Sequence, residues 1–202
     1  VKRSNGVFGK SGTGKTFLTR LLLIGILQRG EASNLVFDMH GEYGWKGSSE
    51  STREVKGLKQ LFSSRVAVFS LDEDSSRRRG LTPDYVVRIG YEAIEPEDIQ
   101  LLRESLNLSD VAADAAYTLA RHFGPRRWLK DFLALPGGQT VLELAKELGV
   151  NERALGTLHN RLSRLQRFQF VDEGSSHDSV GQILRYLERG MHVVLEFGRY
   201  GR

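Results

Sequence analysis

The sequence contains no cysteine, so it can form neither disulfide bonds nor metal sites built on thiolates. The longest apolar run, residues 21–27, is far shorter than the ~20 residues that a membrane-spanning helix needs. The N-terminus also lacks the layout of a signal peptide. These absences favour a cytoplasmic protein without a membrane partner.

The charge balance is mildly basic. Twenty-nine lysines and arginines face 25 acidic residues, which gives a formal net charge of +4 and a pI of about 9.4. That balance is compatible with a nucleic-acid partner, although a solvated basic surface explains it equally well. The 202 residues, 40% of them hydrophobic, are enough for one domain or for one domain with an insert.

Residues 9–16 carry the strongest motif of the chain. They read G-K-S-G-T-G-K-T and fit G-x-x-x-x-G-K-[ST], the phosphate-binding loop of nucleotide triphosphatases. Glycines let backbone N–H groups approach phosphate oxygens, Lys15 adds positive charge beside them, and the Thr16 hydroxyl can bind Mg²⁺. The predicted nucleotide-binding residues are Gly9, Ser11, Gly12, Thr13, Gly14, Lys15 and Thr16.

The surroundings of this loop predict an α/β fold. Residues 6–8 are interpreted as the end of a buried strand, residues 17–28 as a helix, and residues 34–37 as a second strand ending at Asp38. Strand, loop, helix and strand in this order begin a mainly parallel sheet flanked by helices. Ligands bind at the carboxyl ends of such strands, where Lys15 and Asp38 would lie.

The rest of the chain predicts further strands and a block of helices. Further strands are predicted at residues 65–71, 85–89 and 191–197, and a helix at residues 179–190. Residues 72–80 are interpreted as a polar loop ending in the basic run Arg77–Arg79, which is more often solvated than functional. The predicted division is residues 1–93 for the first part of the core, 94–170 for a helical insert and 171–202 for the return to the core.

A second motif follows the second predicted strand. Residues 38–43 read D-M-H-G-E-Y, which places two carboxylates and an imidazole near the expected position of the γ-phosphate. Asp38 and Glu42 could hold Mg²⁺ through water or orient the attacking water. A polar turn capped by Asp38, with His40 and Tyr43 packed on it, is the alternative. Beside the phosphate loop the functional interpretation is favoured.

These two motifs together resemble the HerA–FtsK superfamily, and most closely its HerA-like ATPases. The resemblance implies a RecA-like P-loop core with a helical insert, a homo-hexameric ring, and ATP-driven translocation of double-stranded DNA by a helicase of this type. It also implies a nuclease partner of the NurA type in the processing of DNA ends. It assigns catalytic roles to Lys15, Asp38 and Glu42, and Mg²⁺ binding to Thr16, with Asp38 acting through water.

The sequence departs from this family in two places. Family members carry a barrel domain before the first strand and a later Walker B strand ending in acidic residues, and neither is found here. Glu196 is one acid after apolar residues, but a second does not follow it, and by order this segment resembles the strand before Walker B. We expect that the sequence is part of a longer protein, whose other parts, with an arginine acting in trans, complete ATP hydrolysis.

Two other classes of function stay open. Residues 141–168 have the rhythm of a helix-turn-helix with Gly149 at the turn, which would suit a DNA-binding regulator switched by nucleotide. The basic residues of the second helix are Arg153, Arg161, Arg164 and Arg167. A packed helical hairpin with solvated arginines is the favoured interpretation. A small-molecule kinase would need a lid, which Arg77–Arg79 could imitate, but such kinases do not need the motif at residues 38–43.

Overall fold

A computed structural model describes residues 4–45, 47–48, 54–174 and 178–201. The chain divides into two compact units. The first, here called the sheet unit, comprises Val1–Val87 and Asp178–Arg202. The second, the helical unit, comprises Arg88–His177 and contains the residues predicted as an insert. No helix among the described residues is long and apolar enough to cross a membrane.

A four-stranded parallel sheet forms the centre of the sheet unit. Its strands are β1 (Leu35–Asp38), β4 (Val66–Ser70), β5 (Tyr85–Val86) and β8 (His192–Glu196), in the order β1-β8-β4-β5. Two short strands, β2 (Gly47–Ser48) and β3 (Glu54–Val55), form a separate antiparallel pair. In the parallel register Asp38 lies beside Glu196, and Glu196 beside Ser70. The carboxyl edge of the sheet therefore brings two acidic side chains together.

Helices border the strands of this sheet. They are α1 (Lys15–Arg29), α2 (Leu58–Leu61), α3 (Glu73–Arg78) and α9 (Ser179–Glu188). The core between α1, α2 and the sheet is made by Leu27, Leu58, Val66 and Val194, all at most 3% exposed. All five residues of β4 and of β8 are buried, as expected for central strands of a parallel sheet. The predicted α/β class is confirmed.

Three local predictions are wrong. Residues 6–8 form no strand among the described residues, and Phe8 is 92% exposed, because three apolar residues alone do not specify a pairing partner. The polar run at residues 72–80 is a loop only at its ends, since Asp72 caps α3 by accepting a hydrogen bond from the Ser75 N–H at 3.0 Å. The strand predicted at residues 85–89 is divided: β5 belongs to the sheet unit and β6 (Ile89–Gly90) to the helical unit.

The helical unit is built around its own apolar core. Its described elements are β6, α4 (Pro96–Leu101), α5 (Asp110–Phe123), α6 (Trp128–Leu133), α7 (Gln139–Leu148), α8 (Glu152–Leu162) and β7 (Val171–Asp172), with 3₁₀ turns at Tyr91–Ala93 and Ser163–Arg167. Trp128, Phe132 and Leu155 are fully buried in the core. The Trp128 indole donates to the Ile94 carbonyl at 3.0 Å, which satisfies its only polar atom.

His192 makes the stability of the sheet unit depend on pH. Burial and, less strongly, the Arg65 charge lower the pKa of His192, whose Nδ1 accepts a hydrogen bond from the Asn34 N–H at 3.2 Å. Below the ordinary histidine pKa of about 6.5, the unfolded chain takes up a proton that the folded chain resists. The free energy of unfolding should therefore fall as the pH drops from about 8 to about 5.5.

Denaturant unfolding of the wild type and of His192→Asn at both pH values measures this effect. Asparagine can keep an acceptor near Nδ1 but does not titrate, so its loss of stability on acidification should be smaller. The buried Glu196 titrates in both proteins, and the difference between them isolates His192. Equal losses in the two proteins would contradict the assignment.

Candidate nucleotide-binding site

The phosphate loop leads directly into the first turn of α1. Gly14 is the N-cap residue of this helix and has a φ of +83°, a conformation that glycine adopts without strain. The Thr13 hydroxyl donates to the Lys10 carbonyl at 2.8 Å, which closes the turn before the helix. The first backbone N–H groups of a helix have no partners within it, so this end of α1 is suited to an anion.

Lys15 and Thr16 both have hydrogen-bond partners within the chain. The Lys15 ammonium donates to the Lys10 carbonyl at 2.6 Å, within the loop itself. The Thr16 hydroxyl donates to Oε2 of Glu42 at 3.0 Å. This second contact joins the phosphate loop to the motif at residues 38–43, across a separation of 26 residues in the chain.

Asp38 holds the turn that carries Glu42. Its Oδ1 accepts from the Glu42 N–H at 2.8 Å, and its Oδ2 accepts from the N–H groups of Tyr43 at 2.8 Å and Gly44 at 3.2 Å. The residue is 1% exposed at the carboxyl end of β1. Both carboxylate oxygens are therefore engaged in shaping the turn. The predicted contribution of Asp38 to Mg²⁺ binding through water stays a prediction.

Glu42 is fixed through three different groups. Its carboxylate accepts from Thr16, its N–H donates to Asp38, and its carbonyl accepts from the Arg20 guanidinium. Arg20 lies on α1, one helical turn after Thr16. The helix that follows the phosphate loop therefore contacts Glu42 through two of its residues. Sequence reasoning missed Arg20, although its spacing of four residues from Thr16 puts both on one side of the helix.

A second buried carboxylate lies beside Asp38. Glu196 is fully buried at the end of β8, and its Oε2 accepts from Arg79 at 2.9 Å, whereas its Oε1 has no partner among the described residues. Burial raises the pKa of Glu196 above its ordinary value, Arg79 opposes that rise, and the Asp38 charge adds to it. A Cβ atom at position 44 would lie 2.7 Å from Oε1, so a larger residue there would require the Glu196 carboxylate to shift.

Arg79 was predicted as part of a solvated basic run, and the ion pair with Glu196 corrects that interpretation. The residue follows α3, and Asp72 caps the first turn of this helix. Burial alone would raise the pKa of Asp72, but hydrogen bonds from Ser75 and from the Arg199 N–H outweigh burial and lower it. The charged cap therefore stabilises the helix from which Arg79 reaches Glu196.

The residues present fit a magnesium–nucleotide complex. Mg²⁺ in proteins keeps several waters and is bound through one or two protein oxygens together with phosphates of the substrate. The Thr16 hydroxyl and the Glu42 carboxylate supply such oxygens, directly beside the loop. No group of three or more acidic, histidine or cysteine side chains suited to a metal occurs in the described part of the chain.

The other residues of the two motifs differ in their exposure to solvent. Ser11, Gly12 and Thr13 are exposed, as a loop that meets a ligand requires. His40 is exposed as well, whereas Tyr43 is half-buried and packs against the core beneath β1. The structure thus brings Thr16, Glu42 and Asp38 together and leaves His40 outside their contacts.

The family described as the central domain of the helicase HerA matches residues 1–200. No curated protein and no solved structure matches the chain. The match spans both motifs, the helical unit and the last strand of the sheet. The chain therefore belongs to the family of the HerA helicase central domain, a family of HerA-like ATPases.

Proposed function

We propose that this chain is the ATP-binding motor domain of a translocase that moves double-stranded DNA, in the manner of the HerA–FtsK superfamily. The observation that carries the proposal is the contact between Thr16 and Glu42, which joins the phosphate loop to the second motif. Membership of the HerA family supports it independently. The partners that follow are duplex DNA, further copies of the chain in a hexameric ring, and a nuclease of the NurA type.

Each residue of the site has a distinct task in this proposal. Lys15 gives up the Lys10 carbonyl and places its charge against the phosphates, where it offsets the charge that develops during transfer. Thr16 and Glu42 would hold Mg²⁺, which supplies further charge neutralisation when bound. Asp38 keeps Glu42 in position through the backbone of the turn. Glu42 also orients the attacking water from this fixed place.

Replacement of Glu42 by glutamine is expected to preserve nucleotide binding and to slow turnover by about tenfold or more, because an amide orients water less strongly than a carboxylate. Steady-state phosphate release, with and without duplex DNA, and equilibrium ATP binding measure the two effects separately. Glu188→Gln makes the same chemical change at an exposed position at the end of α9 and should alter neither quantity.

The same measurements test the proposal as a whole. Stimulation of phosphate release by duplex DNA of any sequence supports a motor. Equal turnover in Glu42→Gln and the wild type would leave Glu42 with a structural role only. Phosphorylation of a small acceptor without any effect of DNA would replace the motor by a kinase.

A further inference from the structure

Helix α8 of the helical unit has two sharply different sides. One side is buried in the core of the unit through Ala154, Leu155, Leu158 and Leu162. The opposite side is polar and accessible. Over residues 152–167, α8 and the 3₁₀ turn that continues it carry four arginines against a single acid, Glu152. Because the buried apolar residues of α8 lie on one side, the polar side does not contribute to the core.

The accessible side forms a continuous strip, here called the arginine face. It comprises Arg153, Gly156, Thr157, Asn160, Arg161 and Arg164, which recur at spacings of three and four residues. No ion pair to any of its three arginines occurs among the described residues, whereas other arginines of the chain, such as Arg79 and Arg127, do pair with acidic side chains. The three guanidinium groups of this face are therefore not engaged in direct ion pairs with described residues.

The arginine face follows a short connection between two helices that is capped at both ends. α7 ends at Leu148, three residues form the turn, and α8 begins at Glu152. Gly149 ends α7 with a φ of +66°, and Asn151 caps α8 by accepting from the Ala154 N–H at 3.0 Å. Two helices joined by a three- or four-residue turn that contains glycine are the arrangement of helix-turn-helix DNA readers. In that arrangement the second helix enters the major groove.

The arginine face is long enough for several contacts with one stretch of duplex DNA. Arg153 and Arg164 are 11 positions apart, which corresponds to about 16 Å along a helix. A recognition helix lies in the major groove, so arginines spread over this length can contact successive phosphates along the groove. Thr157 and Asn160 lie between them and have the hydrogen-bonding groups that contact base edges or sugars.

We propose that the arginine face of α8 binds the major-groove side of duplex DNA, as a contact of the helical unit that is separate from the nucleotide site. The proposal rests on the proposed function only in taking duplex DNA as the polymer. An acidic protein segment is the other polyanion that arginines attract. The face has no aromatic or large aliphatic side chain that would anchor a protein partner, and this favours DNA.

The test measures binding of a labelled 30-base-pair duplex to the full chain without nucleotide and with a metal chelator, over a range of salt concentrations. The triple variant R153Q/R161Q/R164Q should bind about tenfold more weakly at moderate salt. Its log–log salt dependence should be less steep by roughly two to three, about one for each phosphate that an arginine no longer neutralises. Glutamine has a helix propensity close to that of arginine, so α8 should be retained.

The triple variant R121Q/R126Q/K130Q removes the same charge from exposed positions of the same unit and should retain the wild-type affinity and salt dependence. Equal binding by the two triple variants would overturn the proposal while leaving the proposed function intact. Failure of the wild-type chain to bind duplex without nucleotide would overturn it too.

Failure of ATP binding, with DNA binding still dependent on the arginine face, would instead overturn the proposed function alone. If the arginine substitutions weakened binding to an acidic peptide but not to DNA, the face would belong to a protein partner.

Discussion

Replacement of Lys15 by alanine is expected to weaken ATP binding by about 100-fold or more, which corresponds to about 2.7 kcal/mol. The side chain is the charged group at the end of the phosphate loop, and its ammonium already lies within the loop, on the Lys10 carbonyl. Charge-assisted hydrogen bonds to phosphate are about twice as strong as neutral ones, and alanine removes this donor entirely. Titration with a fluorescent ATP analogue measures the decrease in affinity.

Arg29→Ala is the matched control for this prediction. Arg29 has the same charge at the opposite end of α1, where it pairs with Glu31 on the surface. Its replacement should leave the affinity for ATP unchanged. If Lys15→Ala bound ATP with the affinity of the wild type, the nucleotide site would not include Lys15.

Replacement of Asp38 by alanine is expected to destabilise the chain by about 3 kcal/mol or more and to weaken ATP binding as well. Three backbone N–H groups lose their acceptor, and each unsatisfied buried group costs about 1–3 kcal/mol. Disruption of the turn also releases Glu42 from its place beside Thr16. Denaturant unfolding gives the first quantity, and ATP titration under conditions where the variant is folded gives the second.

Asp84→Ala is the control that separates the loss of stability from the loss of ATP affinity. Asp84 also supports the backbone, accepting from the Val68 N–H at 2.7 Å and from Lys59 at 2.8 Å, but it belongs to neither motif. Its replacement should lower stability and leave the affinity of the folded chain for ATP unchanged. If Asp38→Ala also kept its full affinity, the turn would be structural and nucleotide binding would not depend on the position of Glu42.

The sequence predicts those parts of the site that depend on neighbouring residues. The glycines, Lys15 and Thr16 form one loop, and their spacing predicts a turn at the start of a helix, which the structure has at Gly14. The turn after β1 is also formed by neighbouring residues, since Asp38, Glu42 and Tyr43 lie within six residues of the chain. Local sequence contains the information for such structures, because their hydrogen bonds join residues close in the chain.

The contacts that were missed join residues far apart. The ion pair of Arg79 with Glu196 spans 117 residues, and it exists only because β4 and β8 are neighbours in the sheet. The order of strands is a tertiary property, so a basic run at residues 77–79 gave no sign of a buried partner. The division of residues 85–89 between two units likewise depends on tertiary packing, which a local sequence pattern does not reveal. A signal for Glu196 was available, namely one acid at the end of an otherwise apolar strand.

The hydrogen bonds that Lys15 and Thr16 make within the chain have a consequence for ligand selectivity. Because both side chains already have oxygen partners, a ligand adds few hydrogen bonds through these two groups and mainly exchanges one oxygen for another. For Lys15 the exchange replaces a neutral carbonyl by a charged phosphate oxygen, and the gain comes from that charge. A nucleoside without phosphates offers no such gain, so in the proposed site the phosphate chain would contribute to selectivity before any contact with the base.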